Sequence, residues 1–153
     1  MTPVEDIYAR ISALIEDKTY CKLPDEDIEF LFKNFLENAI VLFKELNKKY
    51  KPQVIEDEYG QVWIKKTINN VEGEEGLDLE EQVILAHGMV ISWHNSKILR
   101  DTFLQQNVNT KEFNRLSNAT MLANNNILHE ELLKEFVKMR RRYRNRDWNG
   151  SDL

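Results

Sequence analysis

Apolar positions recur at intervals of three and four over most of the chain, which is the spacing of one helix face. In the opening stretch Val4, Ile7, Tyr8, Ile11, Leu14 and Ile15 mark such a face. Thr2-Pro3-Val4-Glu5 reads as its start, with Thr2 as N-cap, Pro3 in the first helical position and Glu5 closing a capping box. The predicted helix covers about 3–17.

A second helix begins at Leu23-Pro24-Asp25-Glu26-Asp27, where three acids complement the positive end of the helix dipole. Ile28, Leu31, Phe32, Phe35, Ala39, Leu42, Phe43 and Leu46 continue its apolar face until Lys51-Pro52 stops it. Its phenylalanines read as core packing. The period then changes. Val54-Ile55 and Val62-Trp63-Ile64 flank Glu58-Tyr59-Gly60-Gln61, and β-favouring residues around a Gly turn predict a hairpin over about 53–68. An isolated hairpin is marginally stable, so this one is expected to pack on helices or pair with another chain. Asn69 to Leu77 holds two Gly and three Glu and reads as a mobile loop.

Asp78-Leu79-Glu80-Glu81 opens a further helix, with Asp78 as cap and Glu81 at the third position. Val83 to Trp93 is almost wholly apolar or small, the pattern of a helix buried on most of its circumference. Gly88 costs about 1 kcal/mol there relative to Ala, which predicts a neighbouring helix passing close. Asn95-Ser96 reads as a break, followed by a short helix over about 97–105 and a single turn over Thr110–Leu116. Ser117 then caps a long final helix whose apolar residues are Met121, Leu122, Leu128, Leu132, Phe136, Met139 and Tyr143. The expected fold is mainly α: an antiparallel bundle of four to five helices with an inserted β-hairpin and a long C-terminal helix.

With 153 residues the chain reads as one domain. It has no apolar run of 18 residues and no charged-then-apolar leader, so neither a membrane span nor a secretory signal is expected. The lone Cys21 cannot make an internal disulfide, which fits a reducing cytoplasm and leaves the Asn118-Ala119-Thr120 and Asn149-Gly150-Ser151 sequons without weight. Charge is polarised: residues 1–81 carry 19 acidic and 10 basic side chains, net −9, and residues 82–153 carry 7 and 11, net +4. That balance disfavours general nucleic-acid binding and suits a subunit whose acidic part meets a neighbour's basic part.

The final helix ends in Arg140, Arg141, Arg142, Arg144 and Arg146, interleaved with Tyr143 and followed by Trp148. One or two cations would offset the helix dipole. Five exceed that need, and Arg, Tyr and Trp are the usual anchors of interfaces. Residues 139–153 therefore read as an extended basic docking tail, and Ser117 to about Lys138 as core. Truncation after Lys138 is expected to leave a folded subunit.

Signals of chemistry fail on inspection. His129-Glu130-Glu131-Leu132-Leu133 starts like a zinc-protease helix, but Leu133 stands where the second ligand belongs. His87 and His94 lie seven apart on one face and would share a metal only with carboxylates from elsewhere; they read as buried or interfacial hydrogen-bonding groups. Cys21 has no evident activating base, and no phosphate-binding or dinucleotide fingerprint occurs. No enzyme activity, metal or cofactor is expected.

The chain resembles the head-to-tail connector (adaptor or neck) proteins of tailed bacteriophages. The similar segments are Ile7-Tyr8-Ala9-Arg10-Ile11, Lys22-Leu23-Pro24-Asp25-Glu26-Asp27 with Asn38-Ala39-Ile40, Leu85-Ala86-His87-Gly88-Met89-Val90 with Trp93, Glu112-Phe113 with Leu116-Ser117-Asn118-Ala119, and the closing Arg142-Tyr143-Arg144. The resemblance implies a non-enzymatic virion protein of the neck, present in the host cytoplasm during assembly. It implies a ring of about twelve copies below the portal, with DNA passing through its channel without specific binding. It also implies that Arg140, Arg141, Arg142, Tyr143, Arg144, Arg146 and Trp148 dock on the portal protein. The hairpin departs from the simplest all-helical adaptors, and Tyr59, Trp63, Lys65 and Lys66 become its candidate contacts with a neighbour or the next neck or tail protein. The alternative class is a small binding module, either a nucleic-acid binder using the arginines or an inhibitor of a host protein.

Overall fold

A computed structural model describes residues 1–15, 23–68, 71–73, 75–107 and 112–146, the side chains of 72, 101–107 and 112–119 excepted. The protein is mainly helical, with a small antiparallel sheet inserted in a helical bundle. In chain order the elements are β1 (Thr2–Pro3), α1 (Val4–Leu14), α2 (Asp25–Leu42), α3 (Lys44–Lys49), β2 (Lys51–Glu56), β3 (Val62–Ile68), β4 (Val71–Glu72), α4 (Leu79–Asn107) and α5 (Glu112–Asn145). Among the described residues no helix is long and apolar enough to cross a membrane.

Helix α4 is the central element, in contact with α1, α2 and α5. Its Ile84, Leu85, Ala86, Met89, Val90 and Ile91 are all buried, as expected of a run that is apolar on most of its circumference. Gly88 makes this packing possible. A Cβ there would stand 2.9 Å from the Ala39 Cβ of α2 and 3.4 Å from the Phe136 ring of α5, so three helices converge on one missing side chain. Helices α4 and α5 run antiparallel: the first turn of α4 reaches Tyr143 through Glu81, and His94 stacks on His129 with ring centroids 5.7 Å apart.

The hairpin forms with the register Val54↔Ile64 and Ile55↔Trp63, and Ile64 is its fully buried residue. Gly60 adopts φ +80°, which a Gly turn permits, but the organiser is Asp57. Its Oδ1 accepts from the Tyr59 and Gln61 N–H groups at 2.9 Å each, and its Oδ2 accepts from the Trp63 indole at 2.9 Å. Strand β3 is the middle of the sheet: β2 covers one edge, and the short β1 and β4 pair with the other. Pro52 is tolerated because, among the described residues, β2 pairs with β3 alone.

Five expectations are corrected. Thr2 does not cap α1. It pairs opposite Ile64 in the sheet, and its hydroxyl accepts from the Leu77 N–H at 2.6 Å, which ties the chain start to the start of α4. The second helix does not run unbroken to Lys51. It breaks at Phe43 (φ −82°, ψ 71°), which lets Phe43 and Leu46 both turn into the core, while the Asn47 amide donates to the Ile40 carbonyl at 2.9 Å. Asn95-Ser96 does not end α4, which runs on to Asn107 with the Ser96 hydroxyl donating to the Trp93 carbonyl at 2.7 Å inside the helix. Ser117 does not start α5, which already begins at Glu112. Part of the expected loop after Ile68 forms β4, with 69–70 and 74 outside the described residues.

Candidate docking surface

The basic end of α5 divides into residues that hold the helix to the body and residues that face outward. Tyr143 belongs to the first group: it is fully buried, packs edge-on against Phe43 at 4.9 Å and donates its hydroxyl to Oε1 of Glu81 at 2.7 Å. Its place in a docking set is therefore corrected, since no partner reaches it in this fold.

Glu81 is the centre of the arrangement. The capping box expected of Asp78 and Glu81 forms: the Glu81 N–H donates to Asp78 Oδ1 and the Asp78 N–H to Glu81 Oε2, both at 2.8 Å. The same carboxylate accepts from the Tyr50 hydroxyl and holds the Lys66 ammonium at 2.7 Å, although Glu81 itself is fully buried. A buried carboxylate is costly unless every lone pair has a partner, and here two hydroxyls, one amide and one ammonium converge on it. Burial raises the Tyr50 and Tyr143 phenols above their usual range and the hydrogen bonds to Glu81 add to the rise, so both stay neutral donors. Lys66 also lies over the Tyr50 ring at 4.7 Å and is nearly buried. It ties β3 to α4 rather than offering itself to a neighbour, which corrects its reading as a hairpin contact.

Two arginines extend the clamp. Arg140 grips Glu45 of α3 in a two-pronged pair, Nε to Oε2 at 2.7 Å and Nη2 to Oε1 at 3.1 Å. Burial pushes the Glu45 carboxyl up, but the hydrogen bond from Arg140, a backbone hydrogen bond and the charges of Arg140 and Arg144 outweigh it and leave the pKa lowered. Arg146 donates to Asp78 at 2.8 Å and Glu80 at 2.9 Å, and its guanidinium lies 4.3 Å from the Tyr143 ring centroid. Burial likewise pushes Asp78 up, and the Glu81 N–H with Arg146 and Lys66 brings it below the ordinary carboxylate range.

Arg141, Arg142 and Arg144 form the outward group and are exposed. Beside Arg142 lies an apolar hollow of about 410 Å³ lined by Leu79, Val83, Ile84 and Met139 with Glu80 at its rim, and Leu79 is 64% exposed. Trp148 lies outside the described residues. At the hairpin, Tyr59 is 92% exposed at the turn, Lys65 is half-buried, and Trp63 is half-buried with its indole N–H on Asp57. The expected extended tail is helical through Asn145.

His94 is buried against Trp93 and His129, and burial, partly offset by the Glu135 charge, lowers the pKa of half-buried His87. No group of three or more His, Cys, Asp or Glu among the described residues is placed to hold a metal. Sequence reasoning found the capping box but missed the convergence on Glu81, because nothing local links Tyr50, Lys66 and Tyr143 to it. No protein-family profile, curated protein or solved structure matches the chain.

Proposed function

We propose that the protein is a structural subunit of a phage head-to-tail connector, assembling into a ring in the neck of the virion and docking on the portal through the end of α5. The observation that supports this reading is the rigid mounting of a cationic tip. Tyr143, Arg140 and Arg146 fix the last turns of α5 to α3, α4 and, through Glu81, the sheet, while Arg141, Arg142 and Arg144 stay exposed beside an apolar hollow. A docking group held in place before binding loses less conformational freedom when the partner arrives. Arginine beside an apolar pocket is also a common composition of binding hot spots.

The resemblance to connector proteins supplies the partner, and the clamp supplies a reason for the arginines to sit at this helix end. The decisive variant is Arg141→Glu/Arg142→Glu/Arg144→Glu, which leaves Arg140 and Arg146 in place. It is expected to keep the wild-type fold by circular dichroism and to lose co-sedimentation with portal. Undiminished portal binding would remove the proposed docking role. A loss of salt-dependent DNA affinity with assembly intact would favour the nucleic-acid-binding module instead.

A further inference from the structure

We infer that the groove between α1, α2 and the hairpin is the receiving half of a head-to-tail contact with a second copy of this chain, whose α3 lysines enter it. The inference rests on the connector reading. The groove has a volume of about 520 Å³, with Val4, Tyr8, Val54 and Val62 along it. Glu5, Glu26, Glu29 and Glu56 supply four carboxylates against the single ammonium of Lys33. Phe30 lines the same groove and is 66% exposed, although it is a large aromatic on a helix whose Phe32 and Phe35 are buried. An acidic groove with an exposed aromatic suits cationic side chains, whose stems pack on the ring while their heads meet the carboxylates.

The complementary surface is at the other end of the subunit. Lys44 and Lys48 stand one turn apart on α3, Lys51 follows at the start of β2, and all three are exposed. Glu45 on the same helix is already neutralised by Arg140. From Glu26 to Leu42 helix α2 rises about 24 Å at the standard 1.5 Å per residue, and β2 runs from Lys51 to Glu56 between the same two ends. Lys44 and Lys48, beyond the far end of α2, therefore lie too far from the acidic end of the groove to satisfy it within one subunit, whereas Lys51 is on the strand that lines it. Two copies stacked end to end bring them together, and such a contact is heterologous: one patch meets a different patch and the second patch stays open for the next copy. Both patches lie within residues 1–81, and the arrangement leaves Arg141, Arg142 and Arg144 for the portal.

The test is the assembly state of the full chain by analytical ultracentrifugation, alone and mixed with portal, for wild type, Glu26→Lys/Glu29→Lys, Lys44→Glu/Lys48→Glu and the fourfold variant that combines them. Each double reversal should weaken self-association about tenfold or more, because like charges then face each other, and the fourfold variant should regain it. The neutral pairs Glu26→Gln/Glu29→Gln and Lys44→Gln/Lys48→Gln give the same ordering should a reversal fail to fold. Wild-type rings unaffected by either reversal would overturn the groove contact and leave the connector reading standing. A wild type that stays monomeric alone and assembles only with portal, indifferent to both reversals, would also overturn it. Monomers in every arm would remove both.

Discussion

Tyr143, in the last turns of α5, donates its hydroxyl to Oε1 of Glu81 in the first turn of α4 at 2.7 Å, across 62 residues of chain. With Tyr50 and Lys66 on the same carboxylate, this bond makes the C-terminal helix end part of the protein's interior rather than an appendage. The outward arginines are therefore positioned by the core.

Removing the carboxylate should expose that dependence. Glu81→Ala leaves the Lys66 ammonium and two phenol hydroxyls without their acceptor, and a loss of about 3–5 kcal/mol is expected. Tyr143→Phe removes one hydrogen bond and should cost about 1 kcal/mol. Urea unfolding of both variants checks the order, and similar losses of about 1 kcal/mol for the two would mean that Glu81 is only a cap.

Truncation separates core from tip. A chain ending at Lys138 loses Arg140, Tyr143 and Arg146, and with Tyr143 the buried ring against Phe43, so it should unfold or melt well below wild type. A chain ending at Arg146 retains these three anchors and should fold. This reverses the expectation drawn from the sequence. Thermal melts of the two truncations check it.

That reversal shows which parts of the fold are legible in the sequence. The period of Ile7, Ile11, Phe32, Phe35 and Ala39 places α1 and α2, and the Gly60 turn between β-favouring runs places the hairpin, because local spacing records which face is buried. Gly88 announces a close approach because no local reason exists for Gly inside a helix. The fate of the arginines is not local. Arg140 and Arg146 resemble Arg141 and Arg142 in sequence, and only Glu45 and Asp78 arriving from distant elements make two of them structural. Tyr143 reads as an interface anchor or as a core residue according to whether a buried acceptor waits for it.

The convergence at Gly88 is open to a small test. Gly88→Ala gains about 1 kcal/mol of helix propensity, but its Cβ must push against Ala39 at 2.9 Å, and overpacking costs about 1–3 kcal/mol. A modest net destabilisation is expected. In the Gly88→Ala background, Ala39→Gly should cost less than it does in wild type, and a double-mutant cycle reads that coupling.

Acid should weaken the fold in two stages. Burial, partly offset by Glu135, holds His87 below its usual 6.5, so the unfolded chain takes up that proton first and stability falls as pH drops below about 6.5. Glu45 and Asp78 are lowered from 4.5 and 3.8, so their contributions are present above those values and are lost on further acidification. Urea midpoints followed from about pH 8 to about pH 3 should show both stages. His87→Gln should diminish the upper stage and leave the lower.

The most direct measurement is negative-stain imaging with native mass spectrometry of the full-length protein, alone and mixed with portal. Closed rings of defined copy number, alone or seated on the portal, are the expected result. Monomers in both samples would contradict the proposal that the protein is a connector subunit.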